Sequence, residues 1–292
     1  MSLEYLLLPR LQVQAANAQA TWWLINAAPV VAATLFAHNL GRQTKRFPVG
    51  VGIIHHSAQL LGEQFWSYGK LQLHPQQRRG AIFIDNQDYI KPRGGEKRHP
   101  TLSMQPSATC HLTWSLLLAY AAAEGSPSVN KVDQFLSHAR LAGGQIISHA
   151  KPKPLGSLEE VRKAVRSGYW LVERQDLMEE GEGDPLDRLI HATTQRKHAV
   201  HEPQPTHDEG ENPSDTTRDS SAWIVPATLG YAPITEFAQR EGVREGYPHA
   251  YAEPLVGLVQ YVSVHHYETP ALPLWRQAWL DHDVFIVTQQ EL

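Results

Sequence analysis

Apolar side chains dominate the first stretch of the chain, and their spacing predicts a strand that is buried on both faces. Leu6, Leu8, Leu11 and Val13 stand among other apolar residues, and Pro9 marks an edge or a bulge. After Val13 the sequence changes to Gln, Asn and Ala and then reaches two adjacent tryptophans. A buried strand does not require such an end, so this polar and aromatic stretch is a candidate for function.

The pattern over the rest of the first half predicts two helices and several strands. In chain order these are a helix from Pro29 to about Arg42 with Gly41 as its stop, a strand over Phe47–His55, two strand-like pieces between Ser67 and Ile90, a strand over Ala108–Ala119, a helix over Val129–Ala139 stopped by Gly143-Gly144, and a strand over Gln145–His149. The two pieces predict a hairpin joined through Pro75–Gly80, with Arg78-Arg79 at its tip. The order is that of a β-α-β-β-α-β, ferredoxin-like domain, the shape of the RNA-recognition module, with an inserted basic hairpin.

A second, smaller α+β part is predicted after residue 150. Its signals are a capping box at Ser157–Glu160 that opens a helix to Gly168, a strand over Tyr169–Glu173, a helix capped by Asp184-Pro185 toward Lys197, and the strand-like WIVPATLGYAPI from Trp223. Residues 198–221 are nearly free of apolar side chains and predict an acidic, disordered loop. We therefore expect an RNA-recognition-like domain over 1–150, with the insertion at about 62–105, and a C-terminal part over 151–292.

Charge is strongly segregated along the chain, although the total is only −4 with His neutral. Between Asn39 and Pro100 there are ten Lys or Arg against four acids, and between Asp176 and Ser221 there are twelve acids against four bases. A basic hairpin followed by the basic loop Lys91–Pro100 is typical of phosphate contacts. A single surface charge more often serves solubility alone. The concentration of charge in one insertion nevertheless favours contact with RNA or DNA.

The candidates for catalysis and for metal binding do not form a site that the sequence supports. Cys110 is the single cysteine, which fits a reducing, cytoplasmic setting and, in the middle of a strand, indicates a packed and inert thiol. His55-His56 and His265-His266 are adjacent pairs, and neighbours on a strand point to opposite faces. There is no phosphate-binding loop and no nucleophile motif. We expect no enzyme, cofactor or metal site, and the N-terminus MSLEYLLLPR predicts neither a signal peptide nor a membrane span.

Several segments resemble one known family and keep its order along the chain. They are LLLPRLQVQAANA (Leu6–Ala18) followed by Thr21 and the turn at Pro29, FAHNL (Phe36–Leu40), ARLAGGQI (Ala139–Ile146), SGYWLVER (Ser167–Arg174), WIVPATLGY (Trp223–Tyr231) and AEPLVGLVQYVS (Ala252–Ser263). These resemble the subunit that caps the crRNA 5′ handle in type I-F CRISPR surveillance (Csy, or Cascade) complexes, the Csy-two or Cas-five class. LPRL followed by QAANA, and RLAGG, are the most specific. The family tends to have a glycine-containing turn where this chain has Trp22–Asn26.

The resemblance implies a non-enzymatic ribonucleoprotein subunit in antiviral defence. Such a subunit has an RNA-recognition-like body with a protruding hairpin and holds the 5′ repeat-derived handle of the guide crRNA. Its partners are the crRNA, the CRISPR large subunit and the first backbone subunit of the filament, and it meets target DNA through the complex. No membrane partner is implied.

The residues suit this role, because single-stranded RNA is read by stacking on aromatic rings and by amide side chains on base edges. The candidate RNA-binding residues are Arg10, Gln12, Gln14, Asn17, Trp22, Trp23, His38, Arg42, Arg140, Gly143 and Gly144. The candidate contacts to nucleic-acid backbone or DNA are Arg78, Arg79, Lys91 and Arg93. Structural roles compete with three of these assignments: the tryptophans can staple a helix to the sheet, the glycines can cap a helix, and Asn17 can order its own turn.

Two other hypotheses remain open. In a compact variant of the system that lacks a separate large subunit, this protein itself contacts the duplex beside the target, through the hairpin around Arg78-Arg79. Alternatively, the chain is a metal-dependent RNA-processing nuclease of ferredoxin-like shape that uses a histidine such as His38. A neighbouring large-subunit gene argues against the first, and cleavage of repeat RNA by the purified chain would support the second.

Overall fold

The computed structural model describes residues 2–21, 23–75, 77–79, 104–106, 108–179, 183–194, 223–240 and 246–290. The strands are β1 Leu3–Asn17, β2 Gln19–Thr21, β3 Leu24–Ile25, β4 Gly50–Leu60, β5 Gly62–Ser67, β6 Lys70–Pro75, β7 Gln77–Arg79, β8 Met104–Pro106, β9 Thr109–Ala121, β10 Arg140–Leu141, β11 Gly144–Ser148, β12 Lys153–Leu155, β13 Tyr169–Glu173, β14 Ile224–Pro233, β15 Ala252–Ser263, β16 Leu274–Leu280 and β17 Val284–Thr288. The helices are α1 Val30–Thr44, α2 Val129–Leu136, α3 Leu158–Ala164, α4 Gln175–Glu179 and α5 Pro185–Thr194. The fold is α+β and is dominated by one large antiparallel sheet.

Four strands of the first half form a sheet in the order β11-β1-β9-β4, and all three pairings are antiparallel. Helices α1 and α2 cover one face of this sheet and meet each other through Phe36 and Phe135, whose ring centroids are 5.3 Å apart. Their apolar side chains share one core with alternate residues of β1 and β9, including Leu6, Leu8 and Trp114. The predicted alternation of Cys110, Leu112, Trp114 and Leu116 is confirmed, because all four belong to this core.

Strand β1 is buried on both faces only along its first half. Leu6 and Leu8 face α1 and α2, whereas Tyr5 and Leu7 join a second core with Trp170 from β13. The pairing with β9 is interrupted between Leu8 and Leu11, which confirms the bulge that Pro9 predicted. The polar stretch that follows is not a loop, because β1 continues to Asn17 and alternates buried with exposed positions.

The C-terminal strands close a ring of pairings around one edge of the sheet. Strand β4 pairs with β13 and with β16, and the path β4-β13-β15-β14-β17-β16 returns to β4. Gln289, just after β17, ties the ring together, because its side-chain amide donates to the carbonyl of Leu171 at 2.8 Å and its Oε1 accepts from the amide of Glu173 at 3.0 Å. Trp275 also donates to the Leu171 carbonyl, at 3.0 Å. The large sheet therefore includes strands from both sides of residue 150.

Two glycine-based predictions are wrong, and so is the predicted hairpin tip at Arg78-Arg79. The second piece of the predicted hairpin, up to Ile90, lies outside the described residues. Gly41 lies inside α1, which ends at Thr44 with Lys45 in the left-handed conformation, and the missing Cβ leaves room for the Phe47 ring. Helix α2 ends at Leu136, well before Gly143-Gly144. Strand β6 pairs with the preceding strand β5, and the turn is at Tyr68-Gly69. Arg78 and Arg79 lie in β7 opposite β8, not at a hairpin tip.

The predicted elements of the C-terminal part are largely confirmed. Ser157 Oγ accepts from the amide of Glu160 at 3.3 Å, which confirms the predicted N-cap, although α3 ends at Ala164. Glu160 Oε2 accepts from the amide of Gly156, the residue before the cap, at 2.9 Å. Strand β13 has the predicted bounds, and Asp184 caps α5 through two amides at 2.9 Å. Lys197 and the segment 198–221 lie outside the described residues. None of the described helices is long and apolar enough to span a membrane.

Candidate nucleic-acid interface

The second half of β1 lies on an open, polar area of the sheet. Gln12 faces Ser148 of β11 on one side and Thr113 of β9 on the other, and Thr113 in turn faces Ser57 of β4. Residues that face each other on neighbouring strands share a face of the sheet, so these four side chains form one row across four strands. Gln14 opposite Gln145 adds a further polar pair beside this row.

Three members of the row, Gln12, Thr113 and Ser57, line a shallow groove of about 430 Å³. Gln14, Gln59, His111 and Ile147 also line it, among others. Gln12 and Gln14 are exposed, while the neighbours Leu11 and Val13 point into the α1–α2 core. The groove is open because the second core, with Tyr5, Leu7 and Trp170, covers only the other half of this face. An uncovered sheet face with amide and hydroxyl side chains can stack bases and hydrogen-bond to their edges.

Arg10 stands at the boundary between the covered and the open half of this face. It occupies the left-handed region with φ +53° at the β1 bulge, and its amide donates to Ser115 Oγ at 2.9 Å. Its guanidinium donates to Ser167 Oγ at 2.9 Å and remains exposed. Ser115 Oγ also lies 2.7 Å from His56 Nε2, so the hydroxyl can accept from Arg10 and donate to the imidazole.

The His56 imidazole is held in its neutral form. Burial, the Arg10 guanidinium and the neighbouring His55 together lower the pKa of His56 to about 4, with burial the largest cause. A neutral imidazole at this position adds no charge beside Arg10. The positive charge that is available to a phosphate at this boundary is therefore that of the guanidinium.

Residues Arg140, Gly143 and Gly144 belong to a hairpin next to the end of β1. Ala142 and Gly143 form its two-residue turn, with φ +49° and +76°, and Arg140 faces Gln145 with an exposed side chain. Gly144 is buried, and a Cβ there would lie 2.6 Å from the backbone of Gln14 and Ala16. Its backbone therefore packs against β1, so close approach to the neighbouring strand requires this glycine.

Asn17 and Trp23 lie on the connection between β1 and α1. The Asn17 side chain bonds the amide and the carbonyl of Gln19, both at 3.1 Å, so it orders its own turn. The short hairpin β2–β3 follows, and Thr228 of β14 donates to the Ala20 carbonyl at 2.8 Å. Trp23 at the hairpin turn is half exposed. Trp22 lies outside the described residues.

Of the remaining candidates, His38 and Arg42 do not join this surface. His38 and Arg42 are exposed on α1, on the opposite side of the sheet from Gln12 and Gln14, and the His38 ring lies 5.2 Å from the Phe47 ring. The backbone of Arg78 and Arg79 lies in β7 and pairs with β8. Lys91 and Arg93 lie outside the described residues.

Sequence reasoning missed the part of the surface that β4, β9 and β11 supply. The missed residues are Ser57, Gln59, His111, Thr113, Gln145, Ile147 and Ser148. A usable signal was present, since β4 and β9 each place polar residues at alternate positions at the end next to the polar half of β1. The alternation alone does not show that the polar ends of β1, β4 and β9 meet in one sheet.

The histidine pair and the cysteine have structural partners. His55 and His56 point to opposite faces as predicted, with Trp114 Nε1 donating to His55 Nδ1 at 3.0 Å and Ser115 beside His56. Cys110 is fully buried, and burial raises the pKa of its thiol to about 11, which confirms the packed thiol. Among the described residues, no three His, Cys, Asp or Glu side chains lie close enough together to hold a metal ion.

The comparison with protein families agrees with the resemblance in the sequence. Residues 6–285 match the family model described as CRISPR-associated protein (Cas_Csy2). No curated protein matches the chain. The family match spans nearly the whole sequence and includes every strand of the polar surface. The chain therefore belongs to the Cas_Csy2 family of subunits of the type I-F CRISPR Csy complex, which acts in defence.

Proposed function

We propose that this subunit is a non-catalytic RNA-binding protein that holds the 5′ handle of the guide crRNA on the open face of its sheet. The observation that carries the proposal is the polar row from Ser148 through Gln12 and Thr113 to Ser57, which lies uncovered beside the exposed Arg10. Amide and hydroxyl groups suit the edges of unpaired bases, and a guanidinium suits a phosphate. Both kinds of group meet here on rigid strands.

The body that presents this face is, in our proposal, a ferredoxin-like, RNA-recognition-like unit. The sheet order β11-β1-β9-β4, with β1 and β9 in the centre and α1 and α2 on one face, supports it. This arrangement leaves the other face of the sheet available to RNA, which is how RNA-recognition modules use their sheets.

In the assembled complex the subunit would join the large subunit to the backbone filament and meet target DNA through the complex, in the cytoplasm. The β5–β6 hairpin offers a contact for a neighbouring subunit, since Phe65, Trp66 and Tyr68 are all exposed near its turn. Exposed aromatic clusters on a soluble chain are typical of protein interfaces.

Coexpression of the chain with its genomic neighbours and a repeat-spacer array tests the proposal. We expect pulldown of this subunit to bring down RNAs that share one 5′ repeat fragment, and no cleavage of repeat RNA by the purified chain. The variant carrying Gln12→Ala and Gln14→Ala should bind handle RNA roughly thirtyfold more weakly, at about 1 kcal/mol for each lost hydrogen bond.

The matched control is Gln43→Ala, which removes an exposed glutamine from α1 on the other side of the sheet. It should leave RNA binding unchanged. Pulldown of the intact complex without any common 5′ fragment would reject the proposal. Equal losses in the double variant and in the control would show that the open face is not where RNA binds.

A further inference from the structure

We infer that His111 is a specificity-determining residue that donates a hydrogen bond from Nε2 to an acceptor on the edge of one handle base, a role that rests on the proposed function. His111 lines the same groove as Gln12 and Gln14. Its side chain is partly exposed and lies on the same face of β9 as Thr113, two residues further along the strand. The groove therefore contains an imidazole beside the amide side chains of β1.

A second row of polar side chains crosses the open face at the level of His111. Arg140 of β10 faces Gln145 of β11, and Gln145 in turn faces Gln14 of β1. Gln59 of β4 faces His111 of β9, and Gln14 lies in the β1 bulge opposite His111. Residues that face each other on neighbouring strands share a face of the sheet. His111 therefore has amide side chains on both sides and a guanidinium at the end of its row.

The bulge in β1 fixes which ring nitrogen of His111 donates. The pairing of β1 with β9 shifts between Val13 and Ala16, so Gln14 and Ala15 both lie opposite His111. Ala15 takes the left-handed conformation with φ +54°, and its amide donates to His111 Nδ1 at 3.4 Å. Because Nδ1 is the acceptor, the proton of the neutral imidazole is on Nε2.

Nε2 is the nitrogen that remains for a ligand. In the part of the chain that the structure describes, the hydrogen bond of the His111 ring is the one at Nδ1, and Nε2 is not among the buried polar atoms that lack a partner. An unpaired ring nitrogen that is not buried is in contact with solvent, which at this ring fills the groove. An N–H held in this way accepts a carbonyl oxygen or a purine N7 as its partner and disfavours the amino groups of adenine and cytosine.

The bulge that orients the imidazole is held by the hairpin β10–β11. A Cβ on Gly144 would lie 2.6 Å from the carbonyl oxygen of Gln14 and from the amide nitrogen of Ala16, so the two backbones are in close contact. The amide of Asn17 donates to the carbonyl of Ala142 in the same hairpin at 2.7 Å. The donor is thus positioned before a ligand arrives, which reduces the entropy that binding must remove.

The neighbours of His111 favour a base edge over a phosphate as its ligand. The amides of Gln14 and Gln59 each offer both a donor and an acceptor, as the edges of bases do. The cation of this row, Arg140, lies three strands away from His111, which is about 14 Å at a strand spacing of about 4.8 Å. Its guanidinium suits the phosphate of a different nucleotide.

Two variants of the assembled complex separate the donor at Nε2 from the acceptor at Nδ1. His111→Asn keeps an acceptor for the Ala15 amide near the Nδ1 position and has no donor at the ε position. His111→Gln places its amide nitrogen near the Nε2 position and restores the donor. We expect His111→Asn to weaken binding of RNA transcribed from the array about fivefold, as for the loss of one hydrogen bond, and His111→Gln to retain most of the binding. His265→Asn changes an exposed histidine after β15 and should bind as the unaltered complex does.

Base analogues identify the acceptor. Handle RNAs are made in which one base at a time lacks one acceptor, with deaza-purines for the loss of N7 and with analogues that lack guanine O6 or uracil O4. We expect one position at which this loss weakens binding to the unaltered complex about fivefold and has no further effect in the His111→Asn complex. If His111→Asn does not assemble, the same scan is made with His111→Thr, which suits a strand and also lacks a donor at the ε position.

The outcomes distinguish this role from the proposed function. Equal RNA binding by the unaltered and His111→Asn complexes overturns the role of His111 and leaves the handle-binding proposal intact. Equal losses in His111→Asn and His111→Gln would show that the ring serves the structure alone. A variant that is weakened alike with every analogue would indicate a contact to the RNA backbone and overturn base reading. An unaltered complex that carries no handle RNA overturns both proposals.

Discussion

The buried contact between Trp114 and His55 makes the stability of the protein depend on pH. Trp114 is fully buried, and its indole N–H donates to His55 Nδ1 at 3.0 Å. Burial lowers the pKa of His55 to about 4 from its model-peptide value of 6.5. Protonation of Nδ1 would remove the only acceptor that this contact offers and would set two N–H groups against each other.

The sign and the size follow from these two pKa values. The folded state disfavours the charged imidazole, so the unfolded chain binds more protons between pH 6.5 and about 4. The stabilisation is fully present above pH 6.5 and is lost as the pH falls through this window. Between about pH 7.5 and about pH 5 the loss from His55 alone is on the order of 2 kcal/mol.

The assay is urea unfolding of the full chain at about pH 7.5 and about pH 5, for the native protein and for His55→Asn. Asparagine keeps an acceptor oxygen near the Nδ1 position and does not titrate. The variant should lose about 2 kcal/mol less than the native protein between the two pH values. His56 is present in both proteins, and burial, the largest cause of its lowered pKa, is the same in both, so most of its contribution cancels in the comparison.

His265→Asn is the control, because His265 is exposed after β15. It should follow the native pH dependence. A His55→Asn variant whose stability falls with acid as steeply as that of the native protein would refute the assignment of the effect to this buried imidazole.

Three further perturbations test other parts of the structure. Gly144→Val should prevent the hairpin β10–β11 from docking, because the new side chain would strike the backbone of Gln14, and circular dichroism melts would show a loss above 3 kcal/mol, about the scale of large mutational effects. Gln289→Ala should cost about 2 kcal/mol in urea unfolding, because it removes the acceptor of the Glu173 amide and one of the two donors to the Leu171 carbonyl. Gln277→Ala, which removes an exposed side chain from β16, should cost little, and similar costs for both would contradict the role of Gln289 in the ring of strands. Cys110 should resist maleimide labelling in the native protein and react in denaturant, and rapid native labelling would contradict its burial.

The strands and their faces were largely predictable from the sequence, since burial on a strand repeats every second residue. The alternation of Cys110, Leu112, Trp114 and Leu116 gave the inner face of β9 correctly. Strand β13 was predicted with its observed bounds because a short apolar run ends there at Gly168 on one side and at charged residues on the other.

The glycines were misread because their reason lies far away in the sequence. The local pattern predicts Gly41 as a helix stop, but this glycine leaves space for Phe47, whose Cδ1 would lie 2.7 Å from a Cβ. The pattern predicts Gly144 as part of a helix stop, but this glycine lets two strands approach closely. Neither close approach appears in the local pattern, which describes one element at a time.

Strand partners were unpredictable for a related reason. Three successive pieces, over β5, β6 and the residues beyond 80, have similar polarity, and a period of two does not select which two pair. The same limit applies to the candidate site. The polar half of β1 could be singled out, but Ser57, Thr113 and Ser148 became part of the surface only through the strand order.

The open face exists because the C-terminal strands stop partway along β4. On the edge that faces away from β9, β4 pairs with β16 at Val51 and Gly52 and with β13 at Ile54 and His55. Beyond His55 the described pairing of β4 is with β9 alone, and the apolar layer under this face ends at the same level. The polar side chains therefore reduce the stability of β1 little, because its backbone remains hydrogen-bonded to β9 and β11 while these side chains face solvent. A polar end that a fully covered sheet would exclude is here compatible with a stable strand, and its side chains stay exposed, as the proposed contact with the handle requires.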